Sequence, residues 1–344
     1  MVTIAIIVSL VLVVPGLVVV SCGVTRIIDE ATVTAKGVAS KNEIDQKAND
    51  GYDVRDARAK WNEALQAWTA KDYAGADRLI DEANDALKDL QKVSERIYYQ
   101  SSGGITVSGL VFRPAQGDGP WPLIVVNHSG FGTAGDFSEV ALGIRDRGYL
   151  VFNPDFRGSG KSQGQHELAK GEVDDVIYGI DYLKSKGLVE GNRIGMYGQS
   201  HGASVSMLAA ERYDIKAVVE ESGFTDAVDL YENALSKQSD ALFKAGLDQM
   251  IPMIGGTPDQ VPQEYAIRSA INFAADMRAA TFLIHGAKDP LIPVDQAYRM
   301  YDALQKAGKT AELKVYPDEE HTVTQPNNRA EVWDLMFAWF AKYV

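Results

Sequence analysis

The stretch RIGMYGQSHGASVSMLAA, residues 193–210, decides the fold. It runs apolar, then Gly198-Gln199-Ser200-His201-Gly202, then apolar again. The first run is short and strand-like; the second continues in the small and aliphatic residues of a buried helix. A serine with glycine two residues away on either side, between a strand and a helix, fits G-x-S-x-G in the context that motif requires. The turn is tight enough that β-carbons at the flanks would collide with neighbouring backbone. It lifts the serine hydroxyl clear of the sheet, and the N-terminus of the following helix sets positive potential where an oxyanion would form. The pentapeptide alone arises by chance; its flanks give it weight.

Working outward, the same rhythm of strand then helix holds from about residue 95. RIYYQS and ITVSGLVFRPA read as an opening antiparallel pair. PLIVVNH, YLVFNPD, RIGMYGQ, KAVVEES, TFLIHG and AELKVYP are short apolar runs of the kind found in buried parallel strands. Helical stretches such as EVDDVIYGIDYLKSKG and QAYRMYDALQKAG lie between them. The alternation predicts an α/β fold with a mostly parallel, doubly wound sheet over 95–344. Residues 226–277 are longer than a simple crossover and read as a helical cap or excursion.

A serine hydroxyl needs a base, and the base needs an orienting carboxylate. In α/β-hydrolases these follow in the order Ser, acid, His. Asp289 comes in the loop after TFLIHG, and His321 just past LKVYPDEE; both stand beyond strand ends, where open α/β sheets assemble their sites. His321 is the only histidine after Asp289. Asp295 reads as a helix cap, and Asp318 and Glu319 as solvated charges. The oxyanion hole needs two backbone donors. One is expected from His201, the residue after the nucleophile, and the other from HSGFG, residues 128–132, with Gly130 chosen and Ser129 next to it. The His201 ring is not required. His128 and His285 read as structural and His166 as solvated.

The N-terminal third is different. Val2 to Val20 is nearly all apolar and ends in VVSC, residues 19–22. The pattern resembles a bacterial lipoprotein signal with Cys22 as the acylated residue, although no Lys or Arg precedes the apolar run; a retained transmembrane helix and a free buried Cys22 are the alternatives. The first two place the body outside the cytoplasm, anchored to a membrane. Residues 23–53 read as a tether. Within 54–93, Trp61, Ala64, Leu65 and Trp68 mark one helical face, and Tyr73, Ala76, Ile80, Ala83, Leu87 and Leu90 a second, with Asp72 placed to cap it. This predicts a helical hairpin with Trp61, Trp68 and Tyr73 in its own seam, serving as a packing appendage or as a lid or docking surface.

Composition removes other classes. Thirty-four Lys and Arg against 47 Asp and Glu give a net charge of −13, which argues against nucleic acid. The single cysteine excludes an internal disulfide and a CxxC metal site. No histidine pair has zincin spacing, so neither metal nor cofactor is expected. DFRGSGKS, residues 155–162, ends like a phosphate-binding loop but has Asp155 where that motif needs glycine, and SQGQHE follows in place of a helix.

From about 120 to 344 the chain resembles the catalytic domain of the prolyl oligopeptidase family of the α/β-hydrolase superfamily, and more loosely the dienelactone hydrolases. The resemblance rests on RDRGYLVFNPDFRGSGKSQG, NRIGMYGQSHGAS, VVEESGFTD, LIHGAKDPLIPVDQAYRMYDALQKAGK and VYPDEEHTV in the right order. It implies Ser200 as nucleophile, Asp289 as acid and His321 as base, with an oxyanion donor in HSGFG. Many peptidases of this family carry a β-propeller, for which the residues before 95 leave no room. The expectation is a serine hydrolase that cleaves peptide or carboxylic ester bonds in small substrates through an acyl-enzyme. The alternative is a non-catalytic, membrane-tethered adaptor that keeps the fold.

Overall fold

The computed structural model describes residues 30–344 throughout. Of the first 29 it describes only the backbone of two strands, β1 (Ser9–Val14) and β2 (Leu17–Cys22), paired antiparallel. The expected anchor segment and the acylation of Cys22 lie outside the residues whose side chains are described. No helix among the described residues is long and apolar enough to cross a membrane.

The chain divides into two compact units. The first takes Met1–Lys47 and Val54–Gln91, the second Ala48–Asp53 and Lys92–Val344. In the first, α2 (Arg55–Thr69) and α3 (Tyr73–Asp85) form the expected pair of helices, and the Asp72 carboxylate accepts from Gly75 N at 2.9 Å as the cap of α3. The segment read as a tether is, in its larger part, a 20-residue helix, α1 (Glu30–Asn49). Its buried stripe is narrow and built largely of small residues, so the sequence carries no strong apolar period, yet Val33 joins Ala64, Ala76 and Ile80 in one core. Consequently the three aromatics are not a private seam of the hairpin. Trp61 Nε1 donates to Gly37 O at 2.8 Å, Trp68 Nε1 to Thr34 Oγ1 at 3.1 Å, and Tyr73 OH to Glu30 Oε2 at 3.1 Å, all on α1.

The second unit is an α/β layer structure. Its strands are β3 (Glu95–Gln100), β4 (Thr106–Phe112), β5 (Trp121–Asn127), β6 (Leu150–Asp155), β7 (Val189–Gln199), β8 (Ala217–Glu221), β9 (Ala280–Gly286) and β10 (Ala311–Tyr316). They lie in the order β10-β9-β8-β7-β5-β6-β4-β3. β4 runs antiparallel to both its neighbours, and every other pairing is parallel. The helices are α4 (Ser138–Arg145), α5 (Gly171–Ser185), α6 (His201–Arg212), α7 (Ala227–Ser236), α8 (Ala241–Ile254), α9 (Pro262–Ala266), α10 (Asp295–Lys306) and α11 (Pro326–Tyr343). Parallel strands covered on both faces must be apolar on both, and two clusters result. Val125, Met196, Val218 and Leu283 point to one face, and Ile124, Tyr197, Val219 and Phe282 to the other.

The excursion expected at 226–277 contains α7, α8 and α9. Asp226 caps α7 by accepting from Val228 N, and Gly255, left-handed at φ 102°, ends α8. Ile271 N donates to Thr225 O at 3.0 Å, which ties the two ends of the excursion together.

Candidate active site

The loops after β5, β7, β9 and β10 converge at the carboxyl end of the sheet, and each delivers one part of the site. The turn between β7 and α6 is as tight as the sequence demands. Ser200 sits at φ 54°, ψ −123°, a left-handed backbone that costs a non-glycine residue of order 1–3 kcal/mol. A β-carbon on Gly198 would lie 2.2 Å from Gly202 O, and one on Gly202 would lie 2.2 Å from Asn127 O. Both neighbours are backbone that cannot move aside. Ser200 N donates to Glu221 O at 2.8 Å, which fixes the turn to β8.

Ser200, His321 and Asp289 are brought together in one line. Ser200 Oγ lies 2.9 Å from His321 Nε2, and His321 Nδ1 lies 2.7 Å from Asp289 Oδ2. Asp289 is buried, and each of its oxygens meets two donors. Oδ1 accepts from Leu291 N at 2.8 Å and Ile292 N at 2.9 Å, whereas Oδ2 faces His321 and, at 3.3 Å, His285 Nε2. Burial pushes the carboxyl up, but the hydrogen bonds from the two histidines and from Ile292 N outweigh it and hold Asp289 well below the usual carboxylate range. Asp295 stands apart, its carboxylate on Arg299 Nε at 2.8 Å, and caps nothing. Asp318 pairs with Lys288. Glu319, read as a solvated charge, is instead buried and accepts from Thr324 N, Gln325 N and Asn328 Nδ2; it ties down the loop that follows His321.

The two backbone positions expected to supply the oxyanion donors, Gly130 and His201, lie next to each other. His201 opens α6, and a β-carbon on Gly130 would lie 3.7 Å from the His201 β-carbon. Among the described residues neither the Gly130 nor the His201 N–H finds an acceptor. Ser129 instead turns its hydroxyl onto Gln199 Oε1 at 3.1 Å.

The other histidines brace this frame. His128 Nδ1 donates to Ser129 O at 2.7 Å, and its Nε2 accepts from Phe156 N at 3.2 Å. His201 Nε2 accepts from Ala169 N at 3.0 Å, so this ring does have a task. His166 is half-buried rather than solvated, edge-on to Phe131 with centroids 5.3 Å apart. Burial lowers His128 to about 4 and His201 to about 3, so both are neutral in the folded state. The unfolded chain takes up these protons near 6.5. Their stabilising contribution is therefore complete above pH 6.5 and is lost as pH falls toward the folded values, at about 1.4 kcal/mol per pH unit for each ring. A His128→Asn variant is expected to lose Tm less steeply than wild type between pH 6 and 4.5; equal slopes would show that this ring does not titrate on unfolding.

Some residues of the site gave no signal in the sequence. Buried Glu221 accepts from both guanidinium nitrogens of Arg329, at 2.9 and 2.6 Å, and from Tyr197 OH at 2.8 Å, so the strand that holds the elbow turn is itself anchored. Phe131, at φ 58°, is 66% exposed beside Gly130. It borders an apolar pocket of about 230 Å³ that is walled by Leu230, Leu242, Phe243, Met250 and Met253 of the excursion and closed by Leu168 and Leu291.

A strained serine at a strand-to-helix turn, with a histidine and a buried carboxylate in line with it, defines a serine hydrolase of the α/β-hydrolase superfamily. The sequence model of the prolyl oligopeptidase family matches residues 136–344. The chain belongs to that family and is a serine-type peptidase. It is 27% identical over 238 residues to the uncharacterized peptidase YtmA of Bacillus subtilis, covering 68% of this chain and 88% of that one. It is 26% identical over 300 residues to dipeptidyl-peptidase 5 of Porphyromonas gingivalis, covering 82% of this chain and 41% of that one. Acylaminoacyl peptidase of Pyrococcus horikoshii superposes with a TM-score of 0.61 at 20% identity, over 77% of this chain and 44% of that one, a likeness that speaks to the fold.

Proposed function

We propose that this chain hydrolyses small peptides through an acyl-enzyme on Ser200. The observation that carries this reading is the unbroken line from Ser200 Oγ through His321 to Asp289. In the first half-reaction Ser200 Oγ attacks the scissile carbonyl and its proton passes to His321 Nε2. The carbonyl oxygen, now an anion, takes hydrogen bonds from the His201 and Gly130 N–H groups. The C–N bond then breaks, the leaving amine carries off the proton from His321, and an ester on Ser200 remains. In the second half-reaction water gives a proton to His321, adds to the ester, and releases the acid with Ser200 restored.

The pocket beside the serine suggests what is held during these steps. Apart from Gln249 its lining is apolar, mostly Leu, Met and Phe, and it holds no charged side chain, so it suits a compact apolar group next to the scissile carbonyl. The relay serves esters as well as amides. Short-chain p-nitrophenyl esters are therefore expected to be turned over at least as fast as proline-containing dipeptide amides, and apolar peptide anilides faster than acidic ones. A kcat/KM for a prolyl amide well above that for every short ester would instead mark a dedicated prolyl peptidase. Labelling by a fluorophosphonate probe separates this reading from the adaptor, which would not react. We also propose that the protein is held outside the cytoplasm through Cys22. Mass spectrometry of the mature N-terminus is expected to find a chain beginning at an acylated Cys22, and residues 1–21 still attached would overturn this.

A further inference from the structure

A second histidine stands behind the carboxylate of the relay. His285 is wholly buried on β9, four residues before Asp289. Its Nε2 is 2.9 Å from Ile292 O and 3.3 Å from Asp289 Oδ2. A carbonyl oxygen can only accept, so Nε2 carries a hydrogen, and that hydrogen is shared between the carbonyl and the carboxylate. The other ring nitrogen, Nδ1, is buried without a hydrogen-bond partner among the described residues.

A complementary orphan lies on the neighbouring strand. Glu220 of β8 is 1% exposed; its Oε1 accepts from Gly223 N, and its Oε2 has no partner. Glu220 is opposite Leu283 in the register, and His285 follows Leu283 by two, so Glu220 and His285 share one face of adjacent strands. Glu220 and the His285 ring make no direct hydrogen bond, and the carboxyl acts on the ring at longer range. Burial raises the Glu220 carboxyl to about 7. For His285, burial works against the charged form, and the carboxylates of Asp289 and Glu220 outweigh it and raise the ring above its usual value. The charged groups facing His285 are Asp289 from its own loop and Glu220 from β8, and those facing Glu220 are His285, Glu221 and Asp289. Nε2 carries its hydrogen in either ring state, so Asp289 meets an N–H.

We propose that His285 is a positioning residue of the relay: its Nε2–H, shared with Ile292 O, donates toward Asp289 Oδ2 and so limits the negative charge that His321 meets. The inference rests on the reading of Ser200, His321 and Asp289 as the working relay. Its consequence is a pH effect. Without the donor, Asp289 binds the His321 proton more tightly, and His321 must then be freed of its proton at higher pH before it can act as a base.

The test is the acid limb of kcat/KM for a small ester. In His285→Leu the limb is expected to move up by about half to one pH unit, with kcat at neutral pH several-fold lower and KM within about twofold. His285→Asn, which keeps polarity in the core but is too short to reach Asp289, is expected to shift the limb in the same direction. His285→Gln, which can still present an N–H, is expected to return the limb to its wild-type position. A limb that stays in place in the Leu and Asn variants while kcat falls would make the ring a packing element and overturn the proposal. If instead a Ser200→Ala enzyme remains active, the relay reading itself has failed, and this inference with it.

Discussion

Replacing Ser200 with alanine is expected to lower kcat by roughly 10⁴- to 10⁶-fold and to abolish labelling by a fluorophosphonate, with KM little changed. The size of the loss follows from the geometry. His321 Nε2 points at a single oxygen, 2.9 Å away, and among the described residues no other hydroxyl, thiol or amine lies within hydrogen-bond distance of it. Alanine removes the atom that forms the covalent bond and leaves the base with nothing to deprotonate. The fold should not suffer. The strain at φ 54° falls on the backbone, and alanine tolerates it about as well as serine does. Unchanged Tm with lost turnover is the expected pair of results, and more than a few per cent of wild-type activity in a pure alanine variant would exclude Ser200 as the nucleophile.

The second large effect is expected at Asp289. In Asp289→Asn, kcat should fall by roughly 10⁴-fold while the protein stays folded. Four donors surround the carboxylate, two backbone N–H groups at Oδ1 and two imidazoles at Oδ2. An amide has one oxygen and one NH₂, so one side must face donor to donor. The backbone cannot reorient, and the oxygen will turn to Leu291 and Ile292. The NH₂ group then points at His321 Nδ1 and favours the tautomer that places the proton on Nε2, where it blocks acceptance from Ser200. Asp295→Asn is the matched control. Its carboxylate is exposed and bound only to Arg299, so activity should remain near wild type. A damaging Asp295→Asn with a harmless Asp289→Asn would reverse the assignment of the acid.

What the sequence showed and what it hid divide along physical lines. The elbow turn was legible because it compresses several steric demands into five residues, with glycine required at both 198 and 202. Asp289 and His321 were legible because each follows a short apolar run, and chain order did the rest. The strands of the parallel sheet were legible because both of their faces are buried. By contrast, α1 was hidden, because a helix that buries Val33, Ser40 and Ile44 along a thin stripe shows little period. The partners of Trp61, Trp68 and Tyr73 were hidden with it. Glu221 and Arg329 were hidden for another reason: they are 108 residues apart, and nothing local marks a buried ion pair. His285 was read as structural, and only the distances to Asp289 and Ile292 give it a more particular place.

The apolar pocket has a consequence for how such a protein can change. Five of its walls come from one excursion, whose ends are pinned to each other by the bond from Ile271 to Thr225. The nucleophile, base and acid come from three other loops. Preference and chemistry are thus written largely on separate stretches of chain, joined where Asn233 and Lys237 of the excursion donate to the Pro290 and Leu291 carbonyls beside Asp289, so 226–277 can vary between relatives as long as those contacts to the acid's loop are kept. Lineages that share the catalytic geometry can in this way come to differ in diet.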